Sequence, residues 1–134
     1  MAANQAKATR TMLRSGLGRA RGLGAAKEGV RHWWVQRLTA AALVPLTLWF
    51  IASLILLAGA DHATVSAWIA RPLNTVLLIL LVGASFWHAS LGLQVVIEDY
   101  IRSEGRRLAV LLAVKAVLLI GALMGILAVL RVAL

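Results

Sequence analysis

Three long apolar stretches dominate the pattern of hydrophobic and polar positions along this 134-residue chain. They occupy residues 38–58, 73–97 and 108–130. About 20 helical residues are needed to cross the roughly 30 Å of hydrocarbon in a bilayer. Because the bilayer core offers no water to backbone groups, such a stretch crosses it as an α-helix. The pattern therefore predicts an all-α integral membrane protein in which three transmembrane helices form one domain, residues 1–134.

The polar segments predict how these helices are oriented. Eight of the fourteen Lys and Arg residues lie within residues 1–37, and three more follow the second stretch, at positions 102, 106 and 107. The loop between the first two stretches contains a single basic residue of this kind, Arg71. Loops rich in Lys and Arg stay on the cytoplasmic side. We therefore expect residues 1–30 to form a basic cytoplasmic tail and the C-terminus to face the periplasm, in a bacterial inner membrane or, alternatively, the corresponding mitochondrial membrane.

Composition narrows the classes of protein further. The chain is 61% hydrophobic and carries a net charge of +9. Basic residues clustered beside a membrane span indicate contact with anionic lipid headgroups rather than with nucleic acid. The absence of cysteine excludes disulfides and thiolate-ligated iron–sulfur clusters from this chain. Three helices are too few to enclose a large site, so we expect partner chains.

Two features of the third stretch concern helix packing and charge. Gly121 and Gly125 are spaced four residues apart, a pattern that lets a neighbouring helix approach closely. Lys115 lies about two turns inside the same stretch. It either extends its ammonium group to the membrane surface or makes a polar contact within the membrane.

His88 is an ionisable residue deep in the second stretch. It precedes Asp99 by eleven residues, or about 16 Å along a helix. An ionisable group at this depth marks a functional site, or it serves as a hydrogen bond between helices. From depth alone the two interpretations stand equal.

The neighbours of His88 favour a bound ligand. Ser85 and Gly92 fall on the same helical face and add almost no bulk, which predicts a gap suited to a flat, rigid group. Neutral imidazole is a common axial ligand of haem iron, so His88 is a candidate haem and metal ligand. His32 and His62 lie outside the membrane stretches. We therefore expect a partner chain to supply a second ligand.

Asp99 and Tyr100 lie just after the second stretch, where we expect the water boundary. A carboxylate is disfavoured at the C-terminus of a helix, so Asp99 needs another reason for its position. It either pairs with Arg102 or Arg106, or belongs to a quinone site in which a phenol binds a carbonyl oxygen and a carboxylate relays protons. Arg37 precedes the first stretch on the same side. Its charge either sets topology or pairs with a haem propionate or the quinone pocket.

Two segments together carry a family resemblance. HWWVQRLTA at 32–40 and HASLGLQVVIEDY at 88–100 resemble the small hydrophobic membrane anchor of succinate dehydrogenase, a cytochrome b subunit, in its alphaproteobacterial form. The resemblance extends over about residues 16–134. It implies that His88 is an axial ligand of haem b, that Tyr100 binds quinone beside Asp99, and that Arg37 lies near the haem propionates.

The resemblance also implies partners and a place in electron transport. It implies a second anchor subunit, also of three helices, which shares the haem, together with an iron–sulfur subunit and a flavoprotein subunit. Electrons from succinate would pass to a quinone, expected to be ubiquinone, so the chain would be part of an enzyme without being catalytic alone. Two alternatives stay open: an anchor of a related fumarate reductase, and a three-helix scaffolding subunit without redox chemistry.

Overall fold

The computed structural model describes residues 29–134, which form four α-helices and no strand. The helices are α1 (Gly29–Leu56), α2 (His62–Ile69), α3 (Pro72–Tyr100) and α4 (Glu104–Ala133). Three of them, α1, α3 and α4, are long and apolar enough to cross a membrane. The predicted all-α membrane fold with three spans is therefore confirmed. The predicted basic tail lies outside the described residues, apart from the first residues of α1.

The chain divides into two units, residues 1–34 and 35–134. In the described part of the first unit, the rings of Trp33 and Trp34 meet edge to face with centroids 5.0 Å apart. The second unit contains most of α1 and all of the other helices, and it holds the site described below.

The short helix α2 lies in what the sequence pattern predicts as a loop. Its first turn is capped by Asp61, whose side chain accepts a hydrogen bond of 2.9 Å from the backbone N–H of Thr64. Hydrogen bonds from Thr64 lower the pKa of Asp61 below its usual value. Gly59 precedes the cap with a φ of +82°, a left-handed conformation that glycine adopts without a steric penalty. This turn redirects the chain from α1 into α2.

Side chains from the first turn of α3 form hydrogen bonds to the C-terminal end of α2. Pro72 occupies the first turn of α3, where its missing N–H has no consequence. Asn74 donates through Nδ2 to the carbonyl of Trp68 at 2.7 Å, and the hydroxyl of Thr75 donates to the carbonyl of Ile69 at 2.7 Å. These carbonyls are among those that a helix end leaves unpaired. The connection is thus fixed by hydrogen bonds rather than by apolar packing alone.

Helices α3 and α4 pack closely along the glycine pair of α4. A Cβ added to Gly121 would lie 2.6 Å from Cε1 of Phe86, and one added to Gly125 would lie 2.9 Å from Cγ1 of Val82. Both distances are shorter than side-chain packing permits. The close approach predicted from the glycine spacing is therefore confirmed, and the approaching helix is α3 of the same chain.

Within the described residues, most large apolar side chains face outward. Leu78 and Ile97 are the buried hydrophobic residues of this part of the chain, whereas Trp87 is 62% exposed. An apolar surface of this extent needs lipid or partner proteins to cover it. The outward-facing surface is what a membrane-spanning subunit of a larger assembly requires.

Candidate functional site

The site is built around a hydrogen bond that joins α3 to α1. Nδ1 of His88 lies 2.9 Å from the hydroxyl oxygen of Thr39. The same hydroxyl oxygen lies 2.9 Å from the carbonyl oxygens of Val35 and Gln36 on its own helix. Within the described residues, Nε2 of His88 makes no hydrogen bond. One ring nitrogen is therefore held by the protein and the other is available to a ligand.

His88 also lines an apolar groove along α1. The groove has a volume of about 400 Å³ and is open to one side. The α1 residues that line it are Ala40, Leu43, Val44, Thr47 and Leu48. The ring of His88 is half-buried at its wall. An available imidazole nitrogen beside an apolar groove fits a flat, hydrophobic prosthetic group such as haem.

The space beside Gly92 differs from the gap that the sequence predicts. A Cβ added to Gly92 would lie 3.5 Å from Nε2 of Gln36, so the side chain of Gln36 occupies the space over this glycine. Oε1 of Gln36 is buried and makes no hydrogen bond within the part of the chain described. The open space beside His88 is thus the groove along α1, and Gly92 lies at the contact between α1 and α3.

Asp99 and Tyr100 lie together at the C-terminal end of α3, where both side chains are exposed. Tyr100 is 85% exposed and lines a cleft of about 530 Å³ with Arg102 and Arg106. Among residues 29–134, Asp99 forms no ion pair with either arginine. The structure therefore does not support the interpretation in which Asp99 pairs with Arg102 or Arg106.

The two parts of the predicted site are separated along α3. His88 and Asp99 are eleven residues apart in one continuous helix, which places them about 16 Å apart along its axis. His88 lines the groove along α1, whereas Tyr100 lines the cleft at the C-terminal end of α3. The candidate residues therefore form two separate groups, as their spacing in the sequence predicts.

Arg37 lies on α1 two residues before Thr39, and its side chain is exposed. Its backbone is therefore within about half a turn of the residue that contacts His88. The sequence pattern assigns no role to Thr39. The available signal is its place in Arg-x-Thr-Ala at the start of an apolar stretch, but no single-helix pattern identifies the residue of another helix that it contacts.

Two further ionisable residues, His62 and Lys115, lie away from His88 and Tyr100. Nδ1 of His62 is 3.4 Å from the hydroxyl of Ser66 on α2, at an exposed position outside the long helices. Lys115 lines a cleft of about 290 Å³ between α3 and α4, together with Trp87 and Ser90. Within the described residues, no cluster of three or more acidic, His or Cys side chains could hold a bare metal ion.

Together, the three apolar helices and the half-buried histidine define a membrane protein with a candidate ligand site at His88. The sequence profile of the family described as "Succinate dehydrogenase/Fumarate reductase transmembrane subunit" matches residues 11–122. The chain belongs to this family, and the resemblance seen in its two motifs is confirmed.

Individual relatives agree with this assignment. A protein of Rickettsia bellii named succinate dehydrogenase hydrophobic membrane anchor subunit is 39% identical over 97 residues, which are 72% of this chain and 78% of the relative. The protein of the same name from Paracoccus denitrificans is 30% identical over 95 residues, 71% of this chain and 74% of the relative. A protein of Reclinomonas americana named succinate dehydrogenase membrane anchor subunit is 28% identical over 94 residues, 68% of this chain and 78% of the relative.

Proposed function

We propose that this chain is the hydrophobic membrane anchor of a succinate dehydrogenase, that it holds haem b through His88, and that it forms part of the quinone-reduction site through Tyr100. The observation that supports this most is the state of His88. Its Nδ1 is engaged by Thr39 while its Nε2 is available beside an apolar groove. Family membership and the outward-facing apolar surface support the anchoring role.

His88 and Arg37 are the residues of this chain that would hold the haem. The imidazole of His88 would ligate the iron through Nε2, and the guanidinium of Arg37 would attract a propionate. When bound, the haem supplies a one-electron redox centre in surroundings of low polarity. The other anchor subunit would supply a further ligand to the iron and would cover the open side of the groove.

Tyr100 and Asp99 would form this chain's part of the quinone site. The phenol would donate a hydrogen bond to a quinone carbonyl, and the carboxylate would orient it or pass protons to it. Reduction of a quinone to a quinol takes up two electrons and two protons, so a site at the water boundary is suitable. Because Tyr100 is 85% exposed in the isolated chain, partner subunits would complete the pocket.

The assembly would place this chain in a bacterial inner membrane, with the start of α1 and the loop between α3 and α4 on the cytoplasmic side. Arg102, Arg106 and Arg107 in and beside that loop support this orientation. The iron–sulfur and flavoprotein subunits would bind on the same side. Succinate oxidation on those subunits would deliver electrons to the quinone, expected to be ubiquinone. The names of the relatives favour succinate oxidation over fumarate reduction.

Deleting the gene for this chain tests the anchoring role. We expect succinate oxidation by an artificial soluble acceptor to move from the membrane fraction to the soluble fraction, while succinate-dependent quinone reduction is lost. Expression of the wild-type chain from a plasmid should restore both. Succinate oxidation that stays on the membrane, with quinone reduction intact, would contradict the proposal.

A further inference from the structure

We infer that Thr39 is a positioning residue for His88: its hydroxyl accepts the Nδ1 proton and thereby directs Nε2 of the imidazole toward the groove. This inference rests on the proposed function, because it concerns the use of His88 as a haem ligand. It assigns a task to a residue of α1 that would act through its hydrogen bond to His88.

Counting protons fixes the direction of the hydrogen bond. A threonine hydroxyl has one proton to donate. Its oxygen lies 2.9 Å from the carbonyls of Val35 and Gln36, and a carbonyl oxygen only accepts. If the hydroxyl donated to His88, two oxygen–oxygen contacts at 2.9 Å would have no proton between them. The Thr39 hydroxyl therefore donates within its own helix and accepts from His88.

The tautomer of His88 follows from this direction. Nδ1 carries the proton, so Nε2 of the neutral ring has a lone pair available for a metal. In metal sites, the hydrogen bond made by the second ring nitrogen selects the tautomer and sets the ring orientation. The Thr39 oxygen is in the position to do this for His88.

Thr39 is itself held firmly enough to orient another side chain. It is β-branched, which limits its rotamers in a helix. Its hydroxyl is bound to the backbone of the preceding turn, so the acceptor has a defined position relative to α1. The α1 residues that line the groove, from Ala40 to Leu48, are on the same helix. Thr39 thus aligns the ring with the groove that would receive the ligand.

The hydrogen bond also affects the electronic character of the ligand. An acceptor at the second ring nitrogen raises the basicity of a metal-bound imidazole. A more basic ligand stabilises the ferric state more than the ferrous state and lowers the reduction potential. Removal of the Thr39 hydroxyl should therefore raise the potential of the haem.

The test uses the purified complex with three variants of this chain. Thr39→Val removes the hydroxyl and keeps the shape, and Thr39→Ser keeps the hydroxyl and removes a methyl group. Ser53→Ala is the matched control, because Ser53 donates a hydrogen bond of 2.8 Å to the carbonyl of Trp49 within α1 and does not contact His88. The readouts are haem content, the midpoint potential of the haem and its ferric electron paramagnetic resonance spectrum.

We expect Thr39→Val to weaken haem retention by about tenfold or more, to raise the midpoint potential and to shift the g values of the ferric haem. Thr39→Ser and Ser53→Ala should match the wild type. A role in packing alone predicts the reverse order, with valine unchanged and serine altered, and that order would overturn the inference. If the Thr39→Val variant does not assemble, the midpoint potential of the haem in Thr39→Ser provides the test. A wild-type potential in that variant supports the inference, and a shifted potential overturns it.

Comparison with His88→Ala separates this inference from the proposed function. If the wild type has a haem signal that His88→Ala removes, while Thr39→Val leaves potential and g values unchanged, the role of Thr39 is wrong and the haem site stands. If His88→Ala leaves the haem signal unchanged, the proposed haem site is wrong and the role of Thr39 is wrong with it.

Discussion

The ring of Phe86 on α3 lies directly against Gly121 on α4, so that Cε1 of the ring is 2.6 Å from the position of a Cβ on that glycine. One turn further along, Val82 meets Gly125 in the same way, with Cγ1 at 2.9 Å. The two glycines therefore set the distance between these helices.

Gly121→Ala and Gly125→Ala should each destabilise the packing of α3 on α4. Overpacking in a tight contact costs about 1–3 kcal/mol, and we expect the larger effect at Gly125, because Val82 is β-branched and has little freedom to move. Gly83→Ala is the control, since nothing lies within 4 Å of a Cβ at that position. Thermal unfolding of the purified complex in detergent measures the effect. Equal unfolding temperatures for Gly121→Ala, Gly125→Ala and the control would contradict the prediction.

Tyr100→Phe should impair quinone reduction and leave the haem unaffected. The change removes one hydroxyl from a side chain that is 85% exposed, so folding of the chain should not suffer. Loss of one hydrogen bond of about 0.5–1.5 kcal/mol corresponds to a fall in rate of about twofold to about tenfold. Succinate-dependent quinone reduction, measured beside haem content, checks this. Wild-type turnover would remove Tyr100 from the quinone site.

Asp99→Asn should also slow quinone reduction, because an amide neither takes up nor passes on protons as a carboxylate does. A proton-transfer group contributes about a hundredfold or more to a rate, so the effect should exceed that of Tyr100→Phe. Glu98→Gln is the neighbouring control: Glu98 already accepts a hydrogen bond of 2.8 Å from Gln94. Equal rates for the two variants would mean that Asp99 has no special part in the reaction.

The cap of α2 should weaken in acid. Hydrogen bonds from Thr64 lower the pKa of Asp61, so the ionised carboxylate favours the folded turn. This stabilisation is present above the unfolded pKa of about 3.9 and is lost as the pH falls through the lower, folded pKa. Hydrogen exchange at the Thr64 amide measures the opening of the turn.

Two variants distinguish the effect of the capping hydrogen bond from the effect of the charge on Asp61. Asp61→Ala should speed exchange at Thr64 already at neutral pH, because it removes the acceptor. Asp61→Asn keeps a side chain that caps helices well and should remove only the dependence on pH. Slow exchange at Thr64 in the alanine variant would show that the turn does not depend on the cap.

Much of the fold follows from the sequence because membrane helices are marked by long apolar runs. The three spans can be recognised in this way, and the close approach at Gly121 and Gly125 can be recognised from the spacing of these glycines within one helix. The helix α2 does not follow from the sequence, because its eight residues are too short for a periodic pattern and because it is fixed by Asp61 and by side chains of α3.

The candidate site was predictable only in part. His88 attracts attention because an imidazole in an apolar run is rare and costly. Its contact with Thr39 and the position of Gln36 over Gly92 are contacts between helices, and they depend on the relative rotation of α1 and α3. Periodicity within one helix does not contain that rotation, so the sequence predicted a gap at Gly92, where the structure has the side chain of Gln36.

The haem site proposed at His88 is tested by a reduced-minus-oxidised visible spectrum of the purified complex. Wild type should be compared with His88→Ala and with His62→Ala, a control at an exposed histidine of α2. We predict a b-type haem signal in the wild type and in His62→Ala that is lost or altered in His88→Ala. A signal unchanged by His88→Ala, or no signal in the wild type, would contradict the haem site proposed for this chain.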